Sequence, residues 1–253
     1  MKKNNEKRAL LLSIIVSILL GIPALNVYGM HIMEGFLPPV WCISWGVLCI
    51  PFLVKGYFSI KNKIRESSRK VLLLAMCGAF AFILSALKLP SITGSCSHPT
   101  GVGLGAIIFG PSAMSVIGSI VLIFQAVLLN HGGITTLGAN IFSMAIAGPF
   151  AAYGTFILLK KFGVNKSITV FTAAFIGNIL TYVVTSFQLS FAFPDTESGI
   201  LVSLIKFLGV FAVTQIPLAI SEGLLTVIVY EGINKYSTNE LGDSKKTTGQ
   251  SPF

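Results

Sequence analysis

Long apolar runs separated by short polar stretches dominate this chain. A run of about 18 or more apolar residues with few charges is long enough to cross a bilayer as a helix. Residues 41–60, 71–89, 134–159, 168–189 and 200–230 each have that character. The run 101–130 is longer, and Gly110-Pro111 interrupts it. A proline removes a helical hydrogen bond and clashes with the preceding turn, so this run reads as a short piece to Phe109 and a longer one from Ser112. Residues 30–40, with Gly35, Pro38 and Pro39, are too short and mixed to span. The pattern predicts an all-α polytopic membrane protein, a bundle of about seven transmembrane helices, or six if 101–130 crosses once.

Composition agrees, and charge placement orients the bundle. Hydrophobic residues make up 53% of the 253, charged residues 11%, and the mean hydropathy is +0.82. A soluble domain carries about 25% charged residues. The net charge of +9 would permit nucleic-acid binding, but the basic residues sit between apolar runs, where they set membrane orientation; no nucleic-acid partner is expected. Lys55, Lys61, Lys63, Arg65, Arg69 and Lys70 face Glu66 alone, so 55–70 reads as cytoplasmic. Lys160, Lys161 and Lys166 fall on the same side if 101–130 crosses twice. Lys88 and Lys206 are the exceptions, and lysines at helix ends snorkel. At the start, Lys2, Lys3, Lys7 and Arg8 precede an apolar core (9–20), Pro23 and the small-residue pattern Val27-Tyr28-Gly29. This is the plan of a signal peptide, with an uncleaved anchor as the alternative because Gly29 stands where alanine is typical. The expected division is 1–29 signal peptide, 30–232 membrane domain in contact with lipid, and 233–253 polar cytoplasmic tail. The mature amino terminus, Met30, is then outside the cell membrane.

Under this topology all three histidines, His31, His98 and His131, lie at the outer face. A histidine second from a free amino terminus offers three nitrogens to one metal: the Met30 amine, the His31 backbone nitrogen and the His31 ring. Backbone ligation needs loss of a proton, so binding releases protons. One further nitrogen from His98 completes four. Such a set suits Ni(II), Cu(II) or low-spin Co(II) and rejects the oxygen-seeking Mg²⁺ and Ca²⁺. The same histidines could instead be a solvated loop group or a loop cap, and Cys96 in Cys96-Ser97-His98 is an alternative ligand. The four cysteines form no Cys-x-x-Cys pair and imply no disulfide framework.

Other features weigh less. Gly101-x-Gly103-x-Gly105 lacks the lysine and hydroxyl of a phosphate-cradling loop; close helix approach explains it, and no nucleotide is expected. Ala75-x3-Ala79 is a small-residue surface suited to a partner helix or to packing within the bundle. Gln215 and Glu222 lie seven apart on one face of the last run, with Glu222 expected at its cytoplasmic edge. No His-Glu-x-x-His or serine-elbow pattern occurs. Glu34 is the carboxylate near His31 that a membrane metalloenzyme would require.

The run Met30-His31-Ile32-Met33-Glu34-Gly35-Phe36-Leu37-Pro38 resembles the start of the CbiM family, the cobalt-capturing S components of energy-coupling-factor transporters. The blocks 94–105, continuing to Phe109-Gly110-Pro111, and 130–140, with Gly148-Pro149 beyond, resemble it too. The likeness covers roughly 30–230. It implies an S-component helix bundle with one added amino-terminal span and a non-enzymatic subunit that binds Co(II) as transported substrate, feeding cobalamin biosynthesis. It implies the metal ligands Met30, His31 and His98, with His131, Glu34, Ser97 and Asn140 as supporting residues. It also implies partners: a CbiQ-like coupling transmembrane protein contacted through Ala75 and Ala79, CbiO-like ATPase subunits that hydrolyse ATP, and a small CbiN-like accessory membrane protein. The similar nickel branch typically has Pro-Asp where this chain has Met33-Glu34, which favours cobalt over Ni(II).

Overall fold

The computed structural model describes residues 31–87, 89–90 and 96–248. The expected signal peptide and Met30 lie outside the described residues, as do the side chains of Cys96 and of 236–248.

Among the described residues, seven helices follow one another. Helix α1 (Pro39–Glu66) starts on Pro38-Pro39, where the missing N–H of a first-turn proline costs nothing. It runs through the basic segment expected to be a loop. Ser67 breaks it for one residue, in extended conformation, and caps α2 (Ser68–Ala86) by accepting from the Arg69 N–H. After α2 comes a short antiparallel pair, β1 (Leu89–Pro90) and β2 (Cys96–Ser97), with Leu89 opposite Ser97.

The Gly110-Pro111 break falls as the sequence predicts. Helix α3 (Val102–Phe109) stops there and α4 (Pro111–Leu128) begins. The eight residues of α3 rise about 12 Å, against a hydrocarbon core of about 30 Å. Among the described residues, six helices are long and apolar enough to cross a membrane, and α3 is a buried half-helix among them. It packs against α2, α4, α5 and α6. Gly103 makes one of these approaches possible, because a Cβ there would lie 3.0 Å from the Ala174 Cα.

Helix α5 (Leu137–Lys161) has a π-helical turn over Ile141–Ala147, where the Gly148 N–H bonds to Ser143 O. Pro149 has no N–H to continue the ordinary ladder, and the wider turn accommodates that gap. Helix α6 (Lys166–Ala192) is capped by the Asn165 side chain. Helix α7 (Gly199–Thr248) contains Pro217 and continues through residues that read as a polar tail.

The core centres on α3, α4 and α5, with Val102, Ala106, Met114, Val121 and Met144 packed together. Large apolar side chains on the outside, such as Val40, Ile43 and Val47 of α1 and Ile228 of α7, face lipid. Buried polar groups bond back to the helices: Thr181 to Gly177 O and Thr185 to Thr181 O. That is what a water-free surrounding demands.

Candidate metal site

Three histidines from three loops meet at one end of the bundle. His31 precedes α1, His98 follows β2, and His131 follows α4. They are buried, at 1%, 0% and 5% exposure. Ring centroids lie 4.7 Å apart for His31–His98 and 4.8 Å apart for the other two pairs. One ring nitrogen from each lies within 4.8 Å of the other two. The group contains no carboxylate, so its donors are nitrogen alone. His131, expected only to support the site, stands as close to His31 and His98 as they do to each other.

The rings are held from behind. His98 Nδ1 donates to Pro99 O at 2.9 Å, which leaves Nε2 as its lone-pair nitrogen. His31 Nε2 lies 3.0 Å from Gln125 Oε1. Gln125, on α4, is fully buried, and its backbone oxygen accepts the His131 N–H at 3.1 Å.

The segment carrying His31 is latched to the loop 130–137. Asn140 grips the Ile32 peptide on both sides: its Oδ1 accepts the Ile32 N–H at 2.9 Å and its Nδ2 donates to Ile32 O at 3.0 Å. The Thr136 hydroxyl donates to the same oxygen at 2.6 Å. The Glu34 carboxylate accepts from the Ile134 and Thr135 N–H groups. Bonding to the Thr135 side chain, and then to these two amides, holds its pKa below the ordinary value of 4.5. Gly133 leaves room for this nesting, since a Cβ there would lie 2.5 Å from the Glu34 Cα. Glu34 therefore fastens the loops together, the role the sequence reading allowed it beside the enzymatic one.

Helix α7 holds the His98 segment. Ser97 Oγ lies 2.7 Å from Thr214 Oγ1, and Gln215 Nε2 reaches His98 O at 3.4 Å. Glu222 is fully buried, not at a cytoplasmic edge. Its carboxylate accepts from the Thr100 N–H (2.5 Å), the Thr100 hydroxyl (2.8 Å), the Gly101 N–H (2.9 Å) and Asn178 Nδ2 (2.6 Å). The acceptor sits at the amino end of α3, where the helix leaves N–H groups unmet and the dipole favours negative charge. A buried charge needs such partners, and the edge reading failed because it ignored the unmet donors of the 98–101 turn.

Of the sequence-predicted residues, the fold brings His31, His98, His131, Glu34, Ser97 and Asn140 to one region. Ala75 and Ala79 lie elsewhere, on an apolar surface groove of about 300 Å³ between α2 and α4, with Gly78, Ile117 and Phe124. Sequence reasoning missed Gln125 and Ser85. The available signal was a polar side chain inside a run of otherwise apolar residues, which a membrane interior tolerates only with a partner.

A family model for a cobalt uptake substrate-specific transmembrane region, CbiM, matches residues 31–240. The chain is 58% identical over 241 residues to a cobalt transport protein CbiM of Ruminiclostridium cellulolyticum, covering 95% of this chain and 97% of that one. It is 60% identical over 213 residues to one of Chlorobium limicola, covering 84% of each. Among solved structures it is similar to a truncated transition metal transporter, with a TM-score of 0.72, 26% identity and coverage of 81% of this chain and 99% of that one. A second transition metal transporter gives a TM-score of 0.71 at 28% identity, covering 85% and 97%.

Proposed function

The chain belongs to the CbiM family of cobalt-uptake transmembrane proteins, and from that premise we propose that it captures Co(II) at the outer face of a bacterial cell membrane for import. The observation that carries this reading is the buried nitrogen-only cluster of His31, His98 and His131. Nitrogen donors suit Co(II) and Ni(II) and leave Mg²⁺ and Ca²⁺ behind, and no carboxylate stands among them to act as a general base. That supports a carrier of metal over a metalloenzyme.

After removal of residues 1–29, the Met30 amine, the His31 backbone nitrogen and ring, and the His98 ring are the ligands. His131 closes the cluster as a third ring. Loss of the His31 amide proton makes capture proton-releasing and weaker in acid. The mature amino terminus lies outside and the carboxyl terminus in the cytoplasm. The subunit hydrolyses no ATP. It delivers the ion with a coupling transmembrane protein, ATPase subunits and a small accessory membrane protein, in an energy-coupling-factor complex that supplies cobalamin biosynthesis.

The test is intact mass and bound metal on one purified sample, with His31→Ala and His98→Ala alongside. A chain starting at Met30 with one Co(II), lost in His31→Ala and strongly weakened in His98→Ala, is expected. Unchanged affinity in both variants would overturn the ligand set. Tighter binding of Ni(II), together with uptake of nickel in cells, would move the substrate to nickel. Retained affinity after one residue is added before Met30 would remove the terminal amine.

A further inference from the structure

Gln125 has no part in the ligand set, yet its surroundings settle how it must point. The reasoning starts at α2. The Ser85 hydroxyl lies 2.6 Å from Ala81 O and 2.9 Å from Phe82 O. Carbonyl oxygens only accept, so the one hydroxyl hydrogen of Ser85 is committed to them. Ser85 Oγ then has only lone pairs to offer Gln125, and the Gln125 amide must present its NH₂ to it; that contact is present and short. The amide oxygen is thereby turned toward His31, where it lies 3.0 Å from Nε2. An amide oxygen accepts only, so His31 Nε2 carries hydrogen and donates. Its neutral ring therefore has its lone pair on Nδ1.

The consequence concerns which nitrogen of His31 is able to chelate. A metal on the His31 backbone nitrogen closes a six-membered ring through Cα, Cβ, Cγ and Nδ1. Through Nε2, on the far side of the ring, no such closure exists. The Nε2–H tautomer is thus the one the chelate requires. Ser85 and Gln125 are both fully buried.

Resting on the ligand set proposed above, we infer that Gln125 is a positioning residue for metal capture, selecting the Nε2–H tautomer of His31 with Ser85 as the group that orients its amide. Groups that accept the second N–H of a metal-bound histidine commonly change affinity by about 10–100-fold when removed. The relay also explains an otherwise costly pair of polar side chains on two membrane-spanning helices. Neither Gln125 nor Ser85 contributes apolar packing that a leucine or alanine would not.

The experiment uses the full chain, processed in its host and purified in detergent, with Co(II) or Ni(II) alone as probe. Affinity is read by chelator competition and ligand geometry by the visible d–d absorption of the Ni(II) complex. Five proteins are compared: wild type, Gln125→Leu, Gln125→Glu, Ser85→Ala and His31→Ala. Gln125→Leu keeps the bulk but offers no acceptor; a loss of about 10–100-fold with an altered d–d spectrum is expected. Gln125→Glu keeps an acceptor for Nε2–H, and the Ser85 hydroxyl turns from its helix carbonyls to donate to the second carboxylate oxygen; the wild-type spectrum and most of the affinity are expected to return. Ser85→Ala, which touches no part of the site, is expected to lie between. A purely packing role for Gln125 would give the opposite order, with leucine tolerated and the buried carboxylate harmful. If His31→Ala loses metal while Gln125→Leu binds with wild-type affinity and spectrum, the tautomer assignment is overturned and the ligand set stands. If His31→Ala binds like wild type, the ligand set itself fails, and this inference with it.

Discussion

Asn140→Ala isolates the latch that keeps His31 in the site. Asn140 makes two hydrogen bonds to the Ile32 peptide, at 2.9 and 3.0 Å, inside a region where Ile32 is 3% exposed and Asn140 1% exposed. Truncation leaves the Ile32 N–H buried without its acceptor. Ile32 O keeps the Thr136 hydroxyl, so only the N–H is stranded. A stranded buried donor costs about 1–3 kcal/mol, and the second bond contributes about 0.5–1.5 kcal/mol. Their sum is about 1.5–4.5 kcal/mol against the docked segment, or roughly 10- to 1,000-fold in metal affinity at about 1.4 kcal/mol per tenfold. Asn140 lies outside the proposed ligand set, so the loss belongs in metal release more than in capture. Stopped-flow displacement of Co(II) by a chelator reads the release rate directly, and hydrogen exchange of the 31–36 amides reports the segment itself. A variant that melts like wild type, with affinity and release rate within twofold, would refute the latch.

The remaining predictions test neighbouring contacts. Glu34→Gln keeps the shape but weakens the bonds to Ile134 and Thr135; a few-fold faster release is expected by the same chelator assay. Because the folded pKa of Glu34 is held below 4.5, its contribution is complete above the ordinary carboxylate range. It is lost only as pH falls through the lowered value. Release in wild type should therefore quicken in acid by more than in Glu34→Gln, once the acid sensitivity of the ligands common to both is divided out. Gly133→Ala places a Cβ 2.5 Å from the Glu34 Cα; metal affinity should fall at least tenfold while the thermal melt of the bundle moves little. Glu222→Ala strands the N–H groups of Thr100 and Gly101 and should lower thermal stability by at least about 2 kcal/mol. A melt indistinguishable from wild type would show that those donors find other partners.

Apolar run length and the Gly110-Pro111 break placed the helices in the sequence to within a few residues, except at the carboxyl ends of α1 and α7, which run on through basic and polar residues, because a membrane leaves the backbone few alternatives. Ser67 was less visible: a one-residue break in a basic, helix-favouring stretch carries little signal. Of the site, His31 and His98 stood out through their spacing from the expected terminus and through family likeness. His131 was read as a supporting residue, and nothing local shows that three loops converge to set its ring beside the other two. Gln125, Ser85 and Asn178 could be noticed only as polar letters in apolar text. Their roles depend on partners 94, 40 and 44 residues away, distances at which pattern says nothing. Glu222 was misplaced for the same reason, its donors lying 121 and 122 residues back.

If His31 binds the ion as proposed, the burial of its segment makes it door as well as ligand. With His31 1% and Ile32 3% exposed, an ion held among the three rings would be shielded by the seated segment. Metal lifetime would then be the waiting time for a short stretch of chain to come undone, and capture would be the reverse. An external chelator would find no ion to attack in the seated state. Exchange should become independent of chelator concentration once the chelator outpaces reseating. Any partner that hastens unseating would speed delivery without touching a single metal–ligand bond.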